Sequence, residues 1–199
     1  GGGKDGMNVE PVLLPIASPL GEEYIAAMKL AGRYAYAGRD WVCQKVAQII
    51  GANIVDEVHN HHNYAWVEKH AGQELWVVRK GATPAFPNQR SFVGGTMAEP
   101  AVILEGVDSA ESKAALYSTV HGAGRVMSRT KAAGKKKWIK GRPVTVAEGA
   151  VSQKMMMNWV RAAGVELRGA GVDESPHCYK RLADVLTYHQ DSVRVLHTL

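Results

Sequence analysis

One segment of the sequence places a single histidine among glycines and arginines. It runs from His121 to Arg129 and reads HGAGRVMSR. Glycines let a backbone approach an anion closely, and guanidinium groups pair with phosphate oxygens. The histidine could be a general base, or the nucleophile that accepts a phosphoryl or nucleotidyl group. An ordinary turn with a surface histidine has the same short pattern, so other segments must decide between these interpretations.

A second candidate cluster contains three histidines within four residues, namely His59, His61 and His62. Neighbouring imidazoles are typical of metal ligation, and a nitrogen-rich set suits Zn, Mn, Fe or Ni. Side chains alternate along an extended chain, so His62 points away from the other two. We therefore expect one or two ligands here rather than three. The alternative is a polar strand end with solvent-facing histidines.

The positive charge of the chain is concentrated in one stretch. The net charge is +5 and the isoelectric point is about 9.2. No acidic residue occurs between Ser112 and Ala147, whereas residues 125–142 contain eight lysines and arginines. Such a patch predicts a surface for a polyanion such as nucleic acid, on which Trp138 could stack a base. The alternative is a solvated lysine-rich loop.

The composition is that of a globular domain, or part of one. The chain has 199 residues, of which 46% are hydrophobic and 22% charged. It contains no run of about 18 apolar residues and no recognisable signal sequence. Two cysteines far apart in sequence, Cys43 and Cys178, predict a reducing, cytoplasmic environment without a disulfide framework.

The pattern of elements predicts an α+β fold with mixed sheets and flanking helices, in one compact domain or part of one. Ser18 and Pro19 are typical of a helix N-cap and first helical position. A long helix then follows over 22–50, unless Gly32 or Gly38 breaks it, and Gly51 ends it. Further strands are predicted at 54–55, 75–78, 101–104, 165–167 and 193–196, further helices at 148–163 and 179–189, and a loop at 81–89.

Three shorter segments have residues suited to phosphate or base contacts. Segment 79–82 places two cations before a glycine, 94–97 offers flexible amides and a hydroxyl, and 173–180 has acids at a helix start. Each of them alone is also typical of a turn or a cap.

Taken together and in this order, these segments resemble the RtcB family of RNA-splicing ligases. The resemblance covers nearly the whole chain but only about the C-terminal half of a family member. We therefore expect residues 1–199 to be the C-terminal portion of an RtcB-like catalytic domain without its N-terminal half. The residues that carry the resemblance are HHNY at 61–64, RKGA at 79–82, GGTM at 94–97, HGAGRVMSR at 121–129 and ESPHCYK at 174–180.

The resemblance implies an enzyme that uses GTP and Mn²⁺ in tRNA splicing or RNA repair. It would join an RNA 2′,3′-cyclic phosphate or 3′-phosphate end to a 5′-hydroxyl end, with an archease-type activator as a further partner. By this resemblance His121 becomes covalently guanylated when its nitrogen attacks the α-phosphorus of GTP. The attacking nitrogen must be unprotonated, so a partner should hold the other ring N–H.

The same resemblance assigns roles to individual residues. His62 is the metal ligand, whereas His59 and His61 have no corresponding role. The implied nucleotide contacts are Asn63, Gly94, Gly95, Thr96, Met97, Ala101, Gly122, Ala123, Gly124 and Tyr179. The implied phosphate- or RNA-binding positions are Lys80, Arg125 and Arg129.

The chain also departs from the family pattern. Thr96 replaces a common serine, and Ala101 replaces a serine that often contacts the base. The other metal ligands of the family, namely an aspartate, a cysteine and two histidines, lie upstream, and a guanine-contacting lysine lies beyond Leu199. We therefore expect the chain alone to bind manganese poorly and not to ligate. The competing hypotheses are an RNA-binding fragment or subunit without chemistry and a metal-dependent phosphohydrolase.

Overall fold

The computed structural model describes residues 12–199 and divides into two units. The first unit ends at Glu57, and the second comprises Val58–Leu199. No helix among the described residues is both long enough and apolar enough to cross a membrane. Cys43 and Cys178 are both free thiols in the structure.

The first unit is dominated by one long helix, α1 (Pro19–Ile50), of 32 residues. The hydroxyl of Ser18 accepts a hydrogen bond from the Gly21 amide at 3.1 Å, which caps the N-terminus. Gly51 ends the helix in the left-handed conformation, with φ of 67°. The predicted helix is therefore confirmed, and it continues without a break through its internal glycines.

The second unit combines small antiparallel sheets with short helices, which confirms the predicted α+β class. Its strands are β1 (Asn63–His70), β2 (Gln73–Lys80), β3 (Ala82–Pro84), β4 (Arg90–Val93), β5 (Val102–Gly106), β6 (Ser118–Val120), β7 (Lys135–Ile139), β8 (Arg142–Ala147) and β9 (Val193–Thr198). Its α-helices are α2 (Ala110–Ala114), α3 (Arg129–Ala133), α4 (Gln153–Ala162) and α5 (Leu182–Thr187), and two 3₁₀ turns cover Val172–Glu174 and Pro176–Cys178.

Each described sheet is small, and its named strands pair antiparallel. The strands pair as β1–β2, β3–β6 and β7–β8, and the remaining sheet has the order β4-β5-β9. Parallel pairing occurs only at isolated bridges, one of which joins Gly94 to Gly122. The described sheets are therefore antiparallel rather than mixed. Short turns link β1 to β2 and β7 to β8, whereas long stretches of chain separate β3 from β6 and β5 from β9.

Two small hydrophobic clusters anchor the stretch of chain that follows β6, one at Ala123 and the other at Ala132. Ala123 lies in the first cluster, whose other members come mainly from the three-stranded sheet and α5. Ala132 lies in the second cluster, with Val151 and Cys178. The HGAGRVMSR segment is thus fixed by burial on both sides. The buried residues of the first cluster are Ala85, Val93, Val102, Leu104, Ala123, Leu182 and Val193.

The predicted strands at 54–55 and 165–167 are wrong. No described strand pairs with either segment. Val165 instead donates its amide to the Val160 carbonyl at 3.1 Å and so closes the end of α4. Apolar residues alone predict a strand poorly, because a strand also needs a partner for its backbone.

Two predicted helices begin later than expected because other segments bind their first residues. Lys180 donates its amide to Gly124 at 2.9 Å, which keeps it out of α5. Val151 donates to Ala132 at 3.1 Å, so α4 starts only after the Ser152 cap. The predicted loop 81–89 contains β3, and the lysine-rich stretch forms the β7–β8 hairpin rather than a loop.

Candidate functional site

Gly81 lies between the two histidines that the sequence singled out. Asn63 and Lys80 form the last pair of the antiparallel β1–β2 register. Continuing that register by one residue places His62 opposite Gly81. The Gly81 amide donates to the His62 carbonyl at 2.8 Å. In the β3–β6 pair Ala82 faces Val120, and the next position outward there sets His121 opposite Gly81. Two strand registers therefore converge on this glycine.

The ring of His121 is held by the main chain of Gly81. Its Nδ1 lies 2.8 Å from the Gly81 carbonyl oxygen. A carbonyl oxygen only accepts hydrogen bonds, so Nδ1 must carry the proton in this contact. In the neutral ring Nε2 then keeps its lone pair. This is the partner that a nucleophilic histidine requires, and His121 is exposed, so the free nitrogen is open to a substrate.

The imidazole of His62 stacks on that of His121. Their ring centroids are 5.2 Å apart and their planes differ by 15°. The residue predicted to bind a metal and the residue predicted to be the nucleophile are thus neighbours. His61, by contrast, stacks on Tyr64 at 4.7 Å, away from this pair. His61 and His62 thus have different ring neighbours, in agreement with the alternation argument.

The glycine loop before β5 runs beside the HGAGR segment. Gly94 accepts a hydrogen bond from the Ala123 amide at 3.0 Å. A Cβ on Gly122 would lie 3.2 Å from the Gly94 carbonyl oxygen, a tight contact that favours glycine here. The two glycine-containing segments predicted to line one pocket therefore lie side by side.

The residues after these glycines are placed by other contacts. A Cβ on Gly95 would lie 2.2 Å from the Pro100 carbonyl oxygen, so only glycine fits. The Thr96 hydroxyl lies 3.2 Å from Glu99 Oε2 and 3.2 Å from the Met97 carbonyl. Ala101 pairs through its backbone with Leu199, and the Leu199 amide donates to it at 2.9 Å. The structure thus places Thr96, Met97 and Ala101 in this loop. Among the described residues, none of their hydrogen bonds involves His121.

Arg125 and Tyr179 form a linked pair. Nη1 of Arg125 donates to the Tyr179 hydroxyl at 2.8 Å, and Nη2 donates to the Asp173 carbonyl at 2.6 Å. The Tyr179 hydroxyl donates in turn to Glu174. Burial raises the pKa of Tyr179, and the hydrogen bond to Glu174 adds to that shift. The segment predicted to open a helix with acids therefore supplies partners for a guanidinium instead.

Arg129 also meets these acids, although its side chain is exposed. Its guanidinium donates to Asp173 Oδ2 at 2.8 Å and contacts Glu174. The hydrogen bond from Arg129 lowers the pKa of Asp173. Both arginines predicted to bind phosphate are thus already paired with carboxylates or carbonyls. An incoming phosphate would have to compete with those groups.

The two cations at the end of β2 have different environments. Lys80 is exposed opposite Asn63, which is also exposed, so both border the histidine pair. Arg79 is 2% exposed and donates to both carboxylate oxygens of Glu68, at 2.6 and 3.0 Å. It also donates to Ser118 Oγ at 2.9 Å. The suggestion that both cations contact phosphate is therefore wrong for Arg79, which holds the fold.

The described part of the second unit does not by itself bring together a full set of metal ligands. A neutral imidazole such as that of His62 is a suitable donor for a divalent transition metal. Among the described residues of 58–199, however, no three His, Cys, Asp or Glu side chains bring their ligand atoms within 4.8 Å of one another. Tight binding requires several ligands. His62 therefore fits a metal as one member of a larger set.

Gly81 is the functional position that the sequence missed. It appeared only as a glycine after two cations, and nothing in that pattern indicated a contact with His121. Its φ of +70° favours glycine, and a Cβ here would lie 3.5 Å from Cε1 of His121. A glycine three residues after the predicted strand 75–78 was the available signal.

The family model described as "tRNA-splicing ligase RtcB" matches residues 7–199. The chain belongs to the RtcB family. The predicted resemblance is confirmed, and the match includes every residue that carried it. In the structure, His121 at the start of the RtcB-family segment HGAGRVMSR contacts Gly81 and stacks on His62.

Three relatives from distant organisms show the extent of the similarity. The "RNA-splicing ligase RtcB" of Escherichia coli K12 is 33% identical over 189 residues, which is 89% of this chain and 42% of that protein. The "tRNA-splicing ligase RtcB" of Pyrococcus abyssi is 31% identical over 205 residues, or 89% of this chain and 21% of that protein. The "RNA-splicing ligase RtcB homolog 1" of Entamoeba dispar is 28% identical over 205 residues, or 87% and 35%. The chain therefore spans less than half the length of these relatives.

Proposed function

We propose that this chain carries the guanylate-accepting part of a GTP- and Mn²⁺-dependent RNA ligase. The ligase would join RNA 2′,3′-cyclic phosphate or 3′-phosphate ends to 5′-hydroxyl ends, in tRNA splicing or RNA repair. One observation carries the proposal. The hydrogen bond from Nδ1 of His121 to the Gly81 carbonyl leaves Nε2 with its lone pair, exposed beside His62.

The first step is attack of Nε2 of His121 on the α-phosphorus of GTP. A phosphorus–nitrogen bond forms, the bond from the α-phosphorus to the bridging oxygen breaks, and pyrophosphate leaves. An oxygen of the RNA 3′-phosphate then attacks the same phosphorus, takes GMP and releases the imidazole. Finally the 5′-hydroxyl attacks the RNA phosphorus, GMP leaves, and the hydroxyl proton passes to solvent. A cyclic phosphate end first takes up water to become a 3′-phosphate.

The Gly81 carbonyl serves this sequence of steps by orienting one ring. It holds His121 in a single tautomer and keeps Nε2 directed outward. When Nε2 forms its bond to phosphorus the ring becomes cationic, and the carbonyl dipole at Nδ1 stabilises that charge.

The remaining predicted residues would bind the nucleotide and the RNA. His62 would hold Mn²⁺ as one of several ligands, and the bound metal would offset negative charge on the phosphate oxygens. The nucleotide would lie along the paired glycine segments, with Asn63 and Tyr179 at its border. The cations would contact phosphates, and exposed Lys80 is the most accessible of them.

The decisive experiment uses the full-length gene product and GTP labelled at the α-phosphorus. We expect an acid-labile covalent label that is absent from His121→Ala. His197→Ala is the matched control, because it removes another exposed histidine from the same unit. Label on another side chain, or retained in His121→Ala, would contradict the nucleophile assignment. Release of free phosphate without a covalent label would favour a phosphohydrolase.

An RNA-binding fragment or subunit without chemistry is the second candidate. Two observations favour it. Among the described residues of 58–199 no three potential ligands come together, and cations are concentrated at 125–142. Salt-sensitive RNA binding without any label would support this candidate. We also propose that the 199-residue chain by itself binds manganese weakly and does not ligate. Full ligation by that purified chain would overturn the statement.

Two further properties follow from the same proposal. The enzyme would act in the cytoplasm, and an archease-type protein would activate it. Adding such a protein to a stalled guanylation reaction should raise the yield of the covalent label.

A further inference from the structure

The β7–β8 hairpin is a separate ribbon with a tight turn. Its strands pair only with each other among the described strands. Lys140 and Gly141 form the turn with φ of 49° and 76°, and this pair of left-handed residues is typical of two-residue hairpin turns. All the side chains of β7 and β8 that the structure describes are exposed. The hairpin therefore contributes little to the core and is free to contact another molecule.

Cations surround one exposed aromatic ring at the tip of this hairpin. Trp138 is 74% exposed. Lys137 precedes it, Lys140 follows two positions later, and Arg142 pairs with the adjacent Ile139. A large aromatic ring left in water is costly unless it has a partner, and it offers a flat surface for stacking.

These cations differ from the arginines near His121 in having no acidic partners. No ion pair among the described residues involves Lys137, Lys140 or Arg142. Arg125 and Arg129 are instead matched by carboxylates. The hairpin thus retains an unbalanced positive charge, which attracts a polyanion.

A groove connects the hairpin base with the segment that carries His121. It has a volume of about 500 Å³. Its lining includes Ser128, Thr130, Lys131 and Lys135, together with residues 147–150, of which Glu148 is acidic. Ser128 and the start of α3 follow directly from the HGAGR residues. The groove is open, so an extended polymer can run through it toward the hairpin.

We propose that the β7–β8 hairpin binds single-stranded RNA next to the ligation site. The side chains of Lys137, Lys140 and Arg142 contact the phosphates, and one base stacks on Trp138. The inference deepens the proposed function, since it relies on RNA as the substrate. Single-stranded RNA fits better than a duplex, because stacking on a side chain requires an unpaired base.

The test measures binding of the full-length gene product to a fluorescent single-stranded RNA with a 3′-phosphate. Trp138→Ala should weaken binding by about 5-fold or more, the loss typical of one stacked base. The triple variant K137A/K140A/R142A should lower the slope of log K against log salt by about 2, at roughly 0.7 for each lost phosphate contact. Trp138→Tyr keeps a stacking ring and should retain most of the affinity.

Matched controls separate the hairpin from general charge and folding effects. The triple variant K154A/R161A/R168A removes three exposed cations elsewhere in the unit, and Tyr188→Ala removes a ring that is 85% exposed. Both should bind RNA more tightly than the corresponding hairpin variants. Equal losses in hairpin and control variants would overturn the proposal, and thermal unfolding checks that every variant is folded.

Two further outcomes would distinguish the possible causes of failure. If hairpin variants lose binding to phosphatidylserine vesicles but bind RNA like the wild type, the hairpin contacts membranes and the inference is wrong. Guanylation of the wild-type protein is measured in parallel. If it fails while the hairpin variants still weaken RNA binding, the proposed ligase function is wrong but the RNA-binding hairpin stands.

Discussion

Arg79 and His121 both donate hydrogen bonds to main-chain carbonyl oxygens, yet their environments differ. Arg79 is 2% exposed, donates to the carboxylate of Glu68 and the hydroxyl of Ser118, and donates to the Leu116 carbonyl at 2.8 Å. His121 is exposed and has one ring nitrogen held. A buried cation must satisfy its donors within the fold, whereas a reactive imidazole must keep one nitrogen available. The comparison separates a group that stabilises the fold from a group that we propose to be reactive.

The largest expected effect is the loss of ligation in His121→Ala. We expect the rate to fall by at least about 1,000-fold, because no other group replaces the nucleophile. The free energy of unfolding should change by only about 1 kcal/mol, since one exposed hydrogen bond is lost. Ligation assays and urea unfolding of the full-length protein measure the two quantities. A large loss of stability would remove the contrast with Arg79.

The next effect is on folding, in Arg79→Ala. Removing one partner of a buried ion pair typically costs about 3–5 kcal/mol, because the other charge stays buried. Arg168→Ala is the control, since Arg168 pairs with Glu166 on the surface, where such pairs contribute at most about 1 kcal/mol. Urea unfolding compares the two. Similar small changes in both variants would contradict the structural role of Arg79.

A smaller effect should follow from Gly81→Ala. The positive φ of this residue makes alanine unfavourable by about 1 kcal/mol, and the added methyl would contact the His121 ring. Relief of the strained φ would shift the Gly81 carbonyl that holds Nδ1 of His121, which should lower the guanylation rate by roughly 10-fold or more. Gly72→Ala is the control, because Gly72 also has a positive φ but has open space at its Cβ position. The two variants should lose similar stability, and only Gly81→Ala should lose guanylation.

The smallest effect concerns the dependence of stability on pH. Burial alone would raise the pKa of Glu68, but hydrogen bonds from Arg79 and His70 outweigh it and lower the pKa below its usual 4.5. A carboxylate with a lowered pKa stabilises the fold above pH 4.5, and that stabilisation is lost as the pH falls through the folded-state value.

The variant that tests this pH dependence is Glu68→Gln, which cannot titrate. The difference in unfolding free energy between wild type and variant should have its maximum value at pH 7. It should decrease as the pH falls below 4.5. Chemical unfolding at a series of pH values measures it. A difference that stays constant down to pH 3 would show that Glu68 is not the titrating group.

Much of the fold near α1 could be predicted from local signals. Ser18, Pro19 and Gly51 are capping residues whose preference depends on their immediate neighbours. The short strands of the second unit were harder, and β1, β3, β4, β6, β7 and β8 were missed. Their sequences carry weak alternation, and their pairing partners lie elsewhere in the chain.

The candidate site was predicted unevenly for a similar reason. The sequence separated His62 from its neighbouring histidines and selected His121, because both depend on residue type and order. Residue type and order alone did not separate Arg79 from Lys80, and only the family resemblance pointed to Lys80. These two residues differ in the face of β2 on which they lie, and only the packing of Glu68 and Ser118 shows which face is buried.

The amino-acid sequence by itself determined the family, the reactive residue types and the order in which they occur. Only the tertiary structure decided that the ring of His121 meets the Gly81 carbonyl, 40 residues earlier in the chain. Two separate strand registers, β1–β2 and β3–β6, have to end at the same glycine for that contact to form. Registers of this kind depend on the packing of whole elements, which no single segment of sequence contains.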